Sequence, residues 1–108
     1  MKSEIQELES EIAAFCSERE WDLFHTNRNL AAALAVEASE LQDAYLWDRE
    51  ASSEKLKEEL ADVLIYALRL AERNSLDVAA IVRQKLAVNA EKYPVDKCRG
   101  VAKKYTDL

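Results

Sequence analysis

The sequence predicts an all-α protein, and three observations carry that expectation. The single glycine and the single proline, Gly100 and Pro94, both lie near the end, so almost nothing before Tyr93 interrupts a helix. Alanine, leucine, glutamate and lysine, all strong helix formers, dominate the composition. Apolar residues recur at helical intervals, and no alternating strand pattern competes with them. At 108 residues the chain is expected to be one domain, residues 1–108, with a modest core.

The first helix is expected from about Ser3 to Arg19. Ser3 is placed as its N-cap with Gln6 as capping-box partner, and Ile5, Leu8, Ile12 and Phe15 form the inner face. A connecting segment, Glu20 to Thr26, carries Trp21, Phe24 and His25; Phe15 and Phe24 are assigned to the core. Asn27 or Asn29 then caps a second helix that reaches about Trp47. The polar stretch Asp48 to Ser53 is a loop. A third helix starts at Ser53 and ends near Asn74 and Ser75, and Asp77 caps a fourth that runs to about Lys92. Tyr93-Pro94 stops it, because the residue before proline disfavours helix. Val95 to Leu108 is expected to be a largely irregular tail packed along another subunit or the site.

Two pairs of carboxylates at one spacing stand out, Glu37/Glu40 and Glu59/Asp62, both inside apolar helical stretches. At about 100° per residue, Glu37 falls in the middle of the stripe made by Leu30, Leu34, Leu41 and Tyr45, with Glu40 about 60° to its side. Leu60 to Ala71 is apolar everywhere except Asp62 and Arg69, the pattern of a helix buried on most sides. Asp62 is therefore expected to be enclosed, with Glu59 beside it. Four converging carboxylates repel one another unless a divalent cation holds them ionised. Oxygen-only ligation suits Mg²⁺, with Mn²⁺ as an alternative, and argues against zinc. A structural alternative has Glu37 and Asp62 paired with a buried Arg or Lys such as Arg69.

A formal net charge of -6 argues against binding duplex nucleic acid, where affinity comes from neutralising phosphates, but is compatible with a small phosphorylated ligand held through metal. Cys16 and Cys98 stand alone, which fits reduced thiols in a cytoplasmic protein. The opening residues are acidic and amphipathic, so no secretory signal is read, and the apolar stretch at 60–71 is too short to span a bilayer. Because the third helix is apolar on nearly every side, a four-helix monomer would leave part of it wet. A homo-oligomer, dimer or tetramer, is the expected solution.

Trp47 lies seven residues after Glu40, close to it in azimuth and about 10 Å along the axis, similar to the reach from a nucleobase to its triphosphate. Trp47, Trp21 and Tyr66 are therefore candidates for a base and sugar pocket, with core packing as the alternative for each. His25 is a candidate for ligand contact or proton transfer, or a structural residue near the site. Lys85, Asn89 and Lys92 follow helical spacing and supply the donors that a triphosphate demands. Arg99, Lys103, Lys104 and Tyr105 are weaker candidates from the tail.

The run EREWDLFHTNRNL, Glu37 and Glu40 in E-x-x-E, Trp47, EELADVLIY, Lys85 with Asn89, KYPV and the closing RG and KYTDL resemble the MazG-like all-α nucleoside triphosphate pyrophosphohydrolases. The chain is most similar to their dCTP pyrophosphatase branch, from about Phe15 to Leu108. The resemblance implies a Mg²⁺-dependent enzyme that cleaves a nucleoside triphosphate between the α and β phosphates, and an obligate helical oligomer. It implies Glu37, Glu40, Glu59 and Asp62 as metal ligands, with Glu37 or Glu40 as the general base. Trp21 and Trp47 would enclose the base, Tyr66 would lie by the sugar, and Lys85 and Asn89 would contact phosphate. The chain departs at Ile12, where dCTP-specific members carry a histidine, and in a short loop between the second and third helices. Base preference is thus less constrained than reaction type. Two other classes remain: a noncatalytic oligomeric module that binds nucleotide or metal, and a purely structural bundle.

Overall fold

The computed structural model describes all residues, Met1–Leu108, and is helical throughout, without strands. It divides into two compact units, Met1–Leu76 and Asp77–Leu108.

In the first unit three helices, α1 (Glu4–Glu18), α2 (Asn27–Asp43) and α3 (Ser53–Arg73), pack with α3 as the shared partner. Ser3 closes the expected capping box on α1: its hydroxyl accepts from Gln6 N at 3.2 Å and its own N–H donates to Gln6 Oε1 at 2.9 Å. The cap of α2 is Thr26 rather than Asn27 or Asn29, with Thr26 Oγ1 accepting from Asn29 N at 3.1 Å. Asn29 instead donates from Nδ2 to Phe24 O at 2.8 Å, which folds the preceding turn under the helix. Ser52 caps α3 through Lys55 N. Asn27 and Asn74 exchange amide hydrogen bonds of 3.0 and 2.7 Å, pinning the first residue of α2 to the residue that ends α3.

The second helix stops short of Trp47. It ends at Asp43, and a separate 3-10 turn follows over Leu46–Asp48. Trp47 and Asp48 both hold left-handed backbone, at φ 62° and 60°, which an α-helix of L-residues cannot continue through.

The inner face of α1 is also rotated from the expected one. Glu9 and Cys16 are buried and Ile5 and Ile12 half-buried, whereas Leu8 and Phe15 are 44% and 48% exposed. The stripe that meets the rest of the unit is thus Ile5, Glu9, Ile12, Cys16. Phe15 instead lies under the Arg19 guanidinium, 3.6 Å from the ring centroid, and edge-on to Trp21 at 5.7 Å. Phe24, also assigned to the core, is exposed. The dry core is small: Cys16, Leu30 and Ala71.

Arg69 is nearly sealed and joins α3 to the α1–α2 connection. Its Nη2 donates to Asp22, its Nη1 to Glu72 at 2.7 Å and its Nε to His25 Nδ1 at 3.0 Å. These partners satisfy the guanidinium, so the alternative in which Arg69 pairs with Glu37 and Asp62 does not hold. Along α3, Leu60, Leu64 and Ile65 remain substantially exposed, and so does Asp62. The expected enclosure of Asp62 fails for this reason, since the single chain covers only part of the apolar run around it.

The second unit is α4 (Val78–Lys92), the short α5 (Val95–Cys98) and a 3-10 turn at Tyr105–Asp107. Asp77 caps α4 through Ala80 N at 3.0 Å, and the helix ends before Pro94, as the sequence indicates. The tail is more ordered than expected. Pro94, with φ -63°, starts α5, Gly100 takes φ 74° to turn the chain, and Tyr105 packs edge-on to Tyr93 at 6.0 Å. No helix of the protein is long and apolar enough to cross a membrane.

Candidate functional site

Helix spacing on α2 sets Glu37 and Glu40 one turn apart, and packing against α3 brings Glu59 to them. One carboxylate oxygen from each of the three lies within 4.8 Å of the others. Glu59 is buried, Glu37 half-buried and Glu40 exposed, so the group is graded from interior to solvent. Asp62, one turn beyond Glu59, lies outside this three-way group, although its charge is felt by both Glu37 and Tyr66.

Two oxygens in this group have no hydrogen-bond partner despite being buried, Glu37 Oε2 and Glu59 Oε2. Leaving a charged acceptor dry and unpaired costs about 1–3 kcal/mol or more. The carboxyl of Glu37 titrates above the usual glutamate range. Burial is the main cause, followed by the hydrogen bond to and charge of Glu40 and then the charges of Asp62 and Glu59. An all-oxygen donor set that includes two buried, unpartnered oxygens fits a hard divalent cation, which would satisfy the lone pairs and reverse the repulsion. Glu37, Glu40 and Glu59 are the residues that could hold it, with Asp62 nearby.

Next to the carboxylates is an open cleft of about 360 Å³, lined by Glu40, Asp43, Ala44, Arg49, Lys55 and Glu59. Its two cations, Arg49 and Lys55, were not among the sequence candidates. Lys55 was legible in principle, four residues before Glu59 and on the same helix face. Arg49 lies in the α2–α3 connection and carries no periodic signal. The same connection presents Trp47, 87% exposed on its left-handed backbone. A bulky residue held in that region stores strain, and such positions concentrate at functional sites.

Trp21 and His25 come together on the α1–α2 connection, ring centroids 6.3 Å apart. His25 is fixed by Arg69, and Trp21 is 41% exposed. Tyr66 is half-buried, and its hydroxyl titrates above the ordinary range through burial first and the charges of Glu37 and Asp62 next. Lys85, Asn89 and Lys92 lie along α4 in the second unit, where Lys92 Nζ sits 4.8 Å from the Tyr105 ring centroid.

Residues 30–108 match the model of the MazG-like family. The dCTP pyrophosphatase 1 of Rattus norvegicus is 42% identical over 106 residues, covering 89% of this chain and 62% of that protein. The human dCTP pyrophosphatase 1 is 39% identical over the same span. The chain therefore spans about 62% of the length of these curated relatives. Among solved structures, the crystal structure of a pyrophosphatase from Archaeoglobus fulgidus superposes with a TM-score of 0.77 at 31% identity, covering 87% of this chain and 95% of that one.

Proposed function

The chain belongs to the MazG-like family, and from that premise we propose that it is a nucleoside triphosphate pyrophosphohydrolase. It cleaves between the α and β phosphates to give the monophosphate and pyrophosphate, with dCTP or a modified dCTP as substrate and Mg²⁺ as cofactor. The observation that carries this reading is the group formed by Glu37, Glu40 and Glu59, in which Glu37 and Glu59 each keep a buried oxygen without a partner. The relatives named dCTP pyrophosphatase 1 support the substrate class. The family match runs over residues 30–108, and the whole of 1–108 is read as a single domain.

When bound, a divalent cation supplies charge neutralisation at the phosphates and lowers the pKa of a water molecule. The chain's own residues do the rest. Glu37, Glu40 and Glu59 would hold the cation, with Asp62, one turn beyond Glu59, as the fourth carboxylate, and Glu37 or Glu40 would accept the proton as water oxygen bonds to the α phosphorus. The bond from that phosphorus to the bridging oxygen breaks, and the electron pair leaves with pyrophosphate. Trp21 and Trp47 stack on the base, each aromatic contributing about 1–3 kcal/mol. Tyr66 lies by the sugar and His25 supports Trp21. From the family resemblance Lys85 and Asn89 would contact phosphate, and Lys92, at the same helical spacing on α4, would supply a further cation.

The working form is a homo-oligomer, dimer or tetramer. Leu8, Phe15, Leu60, Leu64 and Ile65, large apolar side chains exposed in the single chain, support that assembly. The free thiols of Cys16 and Cys98 support a reducing, cytoplasmic setting.

The test is to offer the purified chain a panel of canonical and modified deoxynucleoside triphosphates with Mg²⁺ and to separate pyrophosphate from orthophosphate. Pyrophosphate release with dCTP preferred, abolished in Glu40→Gln and Asp62→Asn proteins that stay folded, is the expected result. Orthophosphate alone would redirect the assignment to another hydrolase. A melting temperature raised by Mg²⁺ and nucleotide without any product would make the chain a noncatalytic binding module.

A further inference from the structure

Glu59 divides its two oxygens between different neighbours. Oε1 is 2.8 Å from Lys55 Nζ, while the buried Oε2 has no partner and belongs to the carboxylate that meets Glu37 and Glu40. The lysine side chain is 51% exposed and the glutamate side chain 10%. A half-exposed cation therefore neutralises a nearly sealed anion. The pair runs Lys then Glu at four-residue spacing, the less favourable order along a helix, so little holds it beyond local charge. A divalent cation among the three carboxylates would sit beside this ammonium. Like charges that close repel, and more strongly at a protein surface than in water. The flexible four-carbon stem of lysine lets the ammonium move without the backbone following. The adjoining cleft is lined by Arg49 as well as Lys55, and Arg49 is steadied by its Nε donating to Leu46 O at 3.0 Å.

We propose that Lys55 is an exchangeable counter-ion. It neutralises Glu59 while no divalent cation is bound, releases that carboxylate to the arriving cation, and carries its charge, beside Arg49, to the pyrophosphate portion of the ligand in the same cleft. The inference rests on the metal-binding reading of the carboxylates and adds to it a phosphate-contacting pair on the α2–α3 side that the sequence candidates on α4 do not include.

Two calorimetric titrations of the full chain test it, one with manganese chloride alone and one with inorganic pyrophosphate in saturating Mg²⁺. Wild type is compared with Lys55→Met and with Lys57→Met, an equal loss of charge at an exposed position two residues away. Circular dichroism confirms that each variant is folded. Lys55→Met is expected to bind manganese about two- to fivefold more tightly than wild type, the scale of a lost surface ion pair. It should bind pyrophosphate about tenfold or more weakly, the scale of a lost charge-assisted contact. Lys57→Met should follow wild type in both. If Lys55→Met matched Lys57→Met in either titration, the exchange would be overturned while metal binding stood. If wild type took up no manganese, the metal reading itself would fall, and the exchange with it.

Discussion

His25 accepts a hydrogen bond at Nδ1 from Arg69 Nε, at 3.0 Å. An arginine Nε always carries its hydrogen, so Nδ1 must keep its lone pair and the neutral imidazole carries its proton on Nε2. Protonating Nδ1 would break the bond and set two cations face to face.

Burial first, and the Arg69 charge second, hold the proton affinity of His25 below the ordinary 6.5; the Asp22 charge opposes them and is outweighed. The unfolded chain therefore binds this proton more readily than the folded one. The stabilising contribution is complete above about 6.5 and is lost as pH falls through the depressed folded value. NMR titration of the imidazole should give a midpoint below 6.5. Urea denaturation should show wild type losing stability across that interval, with the dependence weakened in His25→Gln. A midpoint at or above the ordinary value would contradict the Arg69 contact.

Glu37→Gln should stabilise the chain in the presence of a chelator. The substitution removes a half-buried charge crowded by Glu40, Asp62 and Glu59, and its amide can donate to a neighbouring carboxylate. A gain on the order of 1 kcal/mol is expected, read as a melting temperature higher by several degrees. The same variant should lose manganese affinity. A protein destabilised in chelator would show that the unpaired oxygen of Glu37 is structural.

Trp47 separates binding from stability. It is 87% exposed, so Trp47→Ala should change unfolding free energy by no more than about 0.5 kcal/mol. It should weaken nucleotide binding by about 1–3 kcal/mol, a roughly 5- to 150-fold rise in Kd. Trp47→Gly should relieve the left-handed strain at φ 62° and raise stability by up to about 1 kcal/mol while losing the same affinity. Equilibrium denaturation and fluorescence titration measure the two effects separately.

Leu30 and Leu60 should respond differently to truncation. Leu30, 1% exposed, is expected to cost about 2–5 kcal/mol as Leu30→Ala at any protein concentration. Leu60 is 42% exposed in the single chain. If a second copy covers it, the cost of Leu60→Ala will grow with protein concentration, together with a fall in sedimenting mass. A small cost independent of concentration would remove Leu60 from any subunit interface.

Local chemistry was legible in the sequence. Ser3 with Gln6, Asp77 and Pro94 act within three or four residues of themselves, so the start of α1 and both ends of α4 followed from the letters alone. The i,i+3 pairing of Glu37 and Glu40 was fixed in the same way, because helix geometry makes them neighbours whatever else the chain does. Local reasoning failed where a neighbouring residue could take the same part. Thr26 competed with Asn27 and Asn29 for one cap, and α2 stopped at Asp43, ahead of the left-handed pair Trp47–Asp48, without a glycine to announce it.

Tertiary structure decided what helical periodicity leaves degenerate. Positions 8 and 9, or 15 and 16, differ by about 100° of azimuth, and an apolar stripe does not say whether it meets the chain's own helices or another surface. Packing on α3 chose Glu9 and Cys16 and left Leu8 and Phe15 outside. The crossing of α2 and α3 likewise brought Glu59, not Asp62, into the three-way carboxylate group, and gave Arg69 to Asp22, Glu72 and His25. The sequence by itself settled the helices and the acids they carry, since those depend on bonds a few residues long. Which acids meet, and which cation stands beside them, depended on contacts between residues far apart in the chain, and these exist only once the helices have packed.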